Sequence, residues 1–185
     1  MYVDPNLKYF EQTQNHLQLA LPILDKIFKK TICLHDYLLN EGHCKGLAAA
    51  IEFFNTQVVN RILFNNCGVS GDSLALILDG ILRLKDFKAL IYKMNHLNDL
   101  AISKMTLLFE RRLPHHLEEL KIVDCKISIS QTEQLLDALH AKSQLKKFSL
   151  VNVQHSEKSF DKLVLYVEGS DTLEELDISW STIRP

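Results

Sequence analysis

The chain has 185 residues, of which 46% are hydrophobic and 24% charged, and its formal net charge is −2. These values suit a folded domain with a continuous core, and so small a charge supplies neither a phosphate-binding basic stripe nor an acidic tail. The four cysteines form no Cys-x-x-Cys pair, no Asn-x-Ser/Thr acceptor occurs, and neither a leader-like start nor an apolar run of about 18 residues is present. Reduced thiols, no membrane span and an intracellular location are therefore expected.

Residues 1–28 open with Asp4-Pro5, a helix start with proline tolerated in the first turn. Leu7, Phe10 and Leu17 can form a broken apolar stripe, and Pro22 is expected to open a second helix through Ile23, Leu24, Ile27 and Phe28. This segment is expected to be a helical N-terminal cap that covers the apolar flank of the first repeating unit. The alternative is a docking arm for another chain.

From residue 29 onward one phrase recurs, with apolar residues at its first, fourth, sixth and eleventh places. A degenerate copy starts at 29, with Ile32, Leu34 and Leu39 in place but Lys29 at its head. Val59, Ile62, Phe64 and Val69 form the second, with Cys67 at the ninth place; Phe87, Leu90, Tyr92 and Leu97 form the third, with Asn95 there. Leu117, Leu120, Ile122 and Ile127 form the fourth with Cys125. Leu145, Phe148 and Leu150 then run on to His155, which spoils the eleventh place, and Leu173, Leu176, Ile178 and Ile183 restore it with Ser181 at the ninth.

The five better copies hold nineteen apolar residues in twenty such places, where roughly nine would arise by chance. Two further columns are wholly apolar: Leu47, Ile77, Met105, Leu135 and Leu163, then Ile51, Ile81, Phe109, Leu139 and Val167. Their separation of four residues puts each pair on one helical face. Each unit is thus expected to be a short strand, a tight bend and an amphipathic helix, and self-similarity of this length marks a solenoid.

The phrase resembles Leu-x-x-Leu-x-Leu-x-x-Asn/Cys-x-Leu of the leucine-rich repeat family, and starts near 29, 59, 87, 117, 145 and 173 resemble the spacing of its ribonuclease-inhibitor-like class. The resemblance spans residues 29–185 as about six repeats, the last incomplete. It implies an α/β horseshoe with a parallel β-sheet on the concave side and α-helices on the convex side. A buried Asn or Cys at the ninth place can hydrogen-bond otherwise unpaired loop backbone in adjacent units. Cys67, Asn95 and Cys125 fit that role; Tyr37, Val153 and Ser181 depart from it, which predicts irregular loops in the first and fifth units.

Strand alternation directs the fifth, seventh and eighth places to the concave surface. Leu63, Ile91, Met94, Val123 and Val151 there form a candidate apolar patch, flanked by Asn65, Lys93, Lys121, Asp177 and the single tryptophan, Trp180. These ten residues are the expected partner-binding surface. The alternative for the patch is ordinary surface scatter, and for Trp180 packing on a further repeat.

Charges around the patch are mixed, so nucleic acid is not the expected partner. His115-His116 lacks further ligands at metal spacing, and Cys33 and His35 with Asp36 are read as neighbours along one strand. No phosphate-cradling glycine run occurs. The expectation is a non-catalytic scaffold that needs no cofactor or metal and binds another protein, with its last strand covered by further repeats or another subunit. The resemblance equally admits a regulator such as GTPase-activating proteins of the Ran type, or an actin- or axoneme-associated scaffold.

Overall fold

The computed structural model describes residues 4–23, 27–28, 30–54, 59–84, 86–110, 116–142 and 144–184. Strands and helices alternate along it. The strands are β1 (Ile27–Phe28), β2 (Thr31–His35), β3 (Arg61–Asn65), β4 (Ala89–Lys93), β5 (Glu119–Val123), β6 (Lys147–Val151), β7 (Gln154–Ser156), β8 (Glu175–Asp177) and β9 (Thr182–Arg184). The helices are α1 (Pro5–Asn15), α2 (Glu41–Ile51), α3 (Gly71–Arg83), α4 (Asp99–Phe109), α5 (Ile129–Lys142) and α6 (Glu157–Glu168).

One open sheet runs in the order β1-β2-β3-β4-β5-β6-β8, with six parallel strands and β1 antiparallel at its edge. Its register keeps equivalent places side by side: Thr31, Arg61, Ala89, Glu119, Lys147 and Glu175 form one row, and Ile32, Ile62, Leu90, Leu120, Phe148 and Leu176 the next. Parallel neighbours need a long crossover, and here each crossover from β2 to β6 carries one helix. Each helix packs on the next, from α1 on α2 through to α5 on α6. One sheet face is therefore covered, and the other is open.

The covered face holds the core. The strand residues Ile62, Phe64, Leu90, Tyr92, Leu120, Ile122, Phe148 and Leu150 are buried against Leu47, Ile77, Met105, Leu135 and Leu163 of the helices. The second helical column is buried as far as Leu139, whereas Val167 on α6 is exposed.

Three backbone devices recur from unit to unit and set the bend from strand to helix. The eighth-place residues Asp36, Asn66, Met94, Asp124, Asn152 and Trp180 all take left-handed conformations, with φ between 52° and 59°. From Asp36 to Asn152 their N–H groups donate to the seventh-place carbonyl of the next strand, as Met94 does to Val123 at 2.9 Å. Ninth-place side chains then bond to the preceding unit. Asn95 Oδ1 accepts from Cys67 N and Val69 N, both at 3.1 Å, while Cys67 and Cys125 Sγ donate to Leu34 O and Tyr92 O, both at 3.3 Å. Twelfth-place oxygens of Asn40, Ser70, Asn98, Ser128 and Ser156 accept the N–H three residues on, which caps each helix at its positive end.

Several local expectations need correction. Ser181 does not depart from the ninth-place role: its hydroxyl donates to Leu150 O at 2.9 Å and accepts Val153 N at 3.2 Å. A hydroxyl both donates and accepts, so it substitutes for the amide. In the fifth unit the loop after β6 becomes β7, which pairs in parallel with β9. Near the N terminus, Ile27–Phe28 is a strand rather than part of a helix from Pro22, because pairing with Thr31 and Ile32 fills the backbone bonds of the β2 edge. Leu24 lies outside the described residues. Helix α1 is capped by the Asp4 side chain, but it buries Tyr9 and Thr13 and leaves Leu7 and Phe10 exposed, as is Leu17 beyond its end. Tyr9 is held there by its hydroxyl, which accepts Leu21 N at 3.2 Å.

His155 fills an apolar column with only 1% of its surface exposed. Its Nδ1 lies 3.2 Å from Ser159 Oγ, and among the described residues its Nε2 has no hydrogen-bond partner. Burial pushes its pKa below the usual histidine range. The folded state therefore resists the proton that the unfolded chain accepts below about pH 6.5. The stability it contributes is complete above that pH and is lost as the pH falls through the lower folded value. His116, lowered first by desolvation and then by Lys88, acts in the same direction. His155→Leu is expected to reduce the acid-induced fall in stability, leaving a residual slope from His116. Urea unfolding at about pH 5 and pH 7.5 checks this, and an unchanged difference between the two would refute it.

Candidate functional site

The open sheet face carries three rows of side chains from the third, fifth and seventh places, edged by the left-handed eighth-place row. In the fifth row Cys33, Leu63, Ile91, Lys121, Ser149 and Asp177 stand side by side; in the seventh, His35, Asn65, Lys93, Val123 and Val151 do so. The register places eight of the ten expected contact residues in these rows, and Met94 and Trp180 follow their strands in the left-handed row.

Their exposure is unequal. Leu63, Asn65, Lys93, Lys121, Val123 and Asp177 are half-buried. Ile91 and Val151 each expose only 8%, so they add little accessible area to the expected patch. Strands spaced by about 4.8 Å let neighbouring side chains shield one another, and Ile91 sits between Leu63 and Lys121. The large apolar surface lies instead on the edge row, where Met94 is 54% and Trp180 85% exposed.

Charges across the third and fifth rows form a connected ladder. Arg61 pairs with Glu119; Lys121 Nζ lies 3.4 Å from Glu119 and 3.2 Å from Glu175; Lys147 reaches Glu175 at 2.6 Å. The Lys147 ammonium holds the Glu175 carboxyl below the usual range, and Glu175 raises Lys147 in return. Asp177 is lowered by hydrogen bonds from the hydroxyl and backbone N–H of Ser179. Lys93 makes no ion pair among the described residues. A face whose acids and bases answer one another presents little net field to an approaching ligand.

Along the edge row Asn66 donates to Asp36 at 2.8 Å and Asn152 to Asp124 at 2.9 Å. Asn and Asp are the residues other than glycine that best tolerate this backbone, so four of the six positions follow local preference. Met94 and Trp180 do not.

At the β2 end the register creates a contact that reading along one strand missed. Cys33 Sγ is 3.1 Å from His35 Nε2, and the Asn65 amide of the next strand is 3.1 Å from His35 Nδ1. Cys33 is half-buried and His35 exposed. The sequence signal was the pairing of Asn65 with His35 in one column, visible only when the rows are read across units. The other thiols are buried, and desolvation pushes Cys44 and Cys125 up to about 11.

His116 is buried, with Nδ1 unpartnered among the described residues, and His115 lies outside them. Among the described residues no group of three or more His, Cys, Asp or Glu is placed to hold a metal ion. No described helix is long and apolar enough to cross a membrane. No model of a known protein family matches this chain, and no curated protein matches it either.

Proposed function

We propose that the chain is a leucine-rich repeat solenoid of the ribonuclease-inhibitor-like class, curved with its open sheet face concave, and that this face docks a protein partner without catalysis. The fold reading is supported by the 28 to 30 residue period, one parallel strand per unit, and the ninth-place Asn and Cys side chains bonded to the preceding unit. The partner belongs inside the cell in this reading, and it is neither nucleic acid nor membrane. A second contact is proposed at the β8 edge, where exposed Val167, Leu176 and Ile183 leave apolar flank for a further repeat or another subunit.

One observation carries the docking proposal: Met94 and Trp180 expose large apolar side chains at left-handed positions where Asn and Asp serve the backbone better. A left-handed residue without local hydrogen-bonding help costs about 1–2 kcal/mol, and such outliers gather at sites kept for function. Exposed Met and Trp are also suited to interface anchoring.

The test compares the wild type with the double variant Met94→Asp, Trp180→Asp as baits in the native extract. Loss of a stoichiometric companion with an unchanged or slightly raised unfolding midpoint is expected. Retention of every companion by the double variant would overturn the proposal.

A further inference from the structure

The side chains of Cys33, His35 and Asn65 meet in a chain of two contacts on the open face. We propose that Cys33 is a covalent modification site, a base-assisted thiol that exchanges with small-molecule disulfides. The geometry supplies the three parts that an activated nucleophile needs: the thiol, an imidazole nitrogen at 3.1 Å to take its proton, and a group at 3.1 Å from the other ring nitrogen to orient the ring. The Asn65 atom placed against Nδ1 is the amide nitrogen, which donates there and keeps the proton on Nε2; the two ends of an amide occupy the same space, and with the carbonyl turned to the ring instead, Asn65 accepts the Nδ1 proton and leaves the Nε2 lone pair facing the thiol.

In the exchange, His35 Nε2 takes the Cys33 proton, and the thiolate attacks one sulfur of a disulfide R–S–S–R. A bond forms between Cys33 Sγ and that sulfur while the original S–S bond breaks. The departing sulfur leaves with the electron pair and receives the proton from the imidazolium. Cys33 is oxidised to a mixed disulfide, and one equivalent of free thiol is produced.

Selectivity arises from burial. Cys44, Cys67 and Cys125 are enclosed in the core, where desolvation disfavours their thiolates, whereas Cys33 lies on the open face. Among the described residues, three charged groups neighbour the cluster in the chain or in the register. Asp36 is next to His35 in the chain and is held by Asn66, Arg61 occupies the third place of β3, and Lys93 lies beyond Asn65 in the seventh row.

The test incubates the reduced full chain with oxidised glutathione and tracks intact mass and peptide maps over time. One adduct is expected, on Cys33, while the other three thiols remain free. His35→Gln is expected to slow its formation about tenfold near neutral pH, with the difference shrinking as hydroxide takes over in alkaline solution. A first adduct on another cysteine, or an equal rate in the variant at every pH, would overturn the proposal. Should His35→Gln unfold, all four thiols would label together. Asn65→Ala, which keeps both Cys33 and His35, then makes the comparison: a several-fold slowing supports the assignment and an unchanged rate overturns it.

Discussion

Asn95→Leu is expected to destabilise the fold by about 2–6 kcal/mol, because one side chain serves two buried backbone donors and each orphaned group costs about 1–3 kcal/mol. Asn95 Oδ1 accepts the N–H of Cys67 and of Val69, and its Nδ2 donates to Lys93 O at 2.6 Å. Leucine matches its bulk but accepts nothing. Because the accepted donors lie in the preceding unit, the damage crosses a repeat boundary and reduces the coupling on which a stack of units depends. Asn95→Cys is expected to recover part of the loss, since Cys67 and Cys125 occupy the equivalent place in neighbouring units. Urea unfolding measures the free energy, and hydrogen exchange at the Cys67 and Val69 amides locates it. Normal protection of both amides in Asn95→Leu would show that the bonds are not made.

Gly80→Leu is expected to destabilise by about 3 kcal/mol or more, the upper range for forcing atoms into a packed interface. A Cβ at residue 80 would lie 2.6 Å from the backbone oxygen of Ala48, so α2 and α3 touch main chain to main chain there. A backbone carbonyl cannot rotate away as a flexible side chain can. Even Gly80→Ala, which helix propensity alone favours by about 1 kcal/mol, is expected to lose stability. Thermal unfolding decides between the two effects, and a stabilised Gly80→Ala would mean that α2 and α3 stand further apart than described.

Both residues sit between units, and their legibility in the sequence differs for that reason. Asn95 was readable as a ninth-place residue because the phrase recurs at a fixed offset. Gly80 sits inside a helix at no recurring place, and its role depends on the approach of a second helix. The helix caps at the twelfth place show an intermediate case: Asn40, Ser70, Asn98, Ser128 and Ser156 form a recurring column of capping residues. Apolar periodicity passes over that column because its residues are polar.

The same distinction runs through the candidate surface. Alternation along a strand is enough to assign Leu63, Ile91, Lys121 and Asp177 to one row, and the parallel register aligns them. Alternation cannot give exposure, which depends on the bulk of neighbours on adjacent strands; hence Ile91 and Val151 are enclosed while Met94 and Trp180 stand out. Nor could it give the charge ladder from Arg61 to Lys147, because a side chain's reach across the rows is settled only by its rotamer among its neighbours.

By itself the sequence determined the repeating unit, its period and the residues that turn inward, since burial of apolar side chains is written as spacing. Only the tertiary structure decided that Ile27–Phe28 pairs as a strand, that Ser181 completes the ninth-place ladder, and that Asn65 meets His35. Each of those contacts joins residues brought together by the lateral pairing of strands or the stacking of units, and the spacing of apolar residues carries no record of which polar groups then meet.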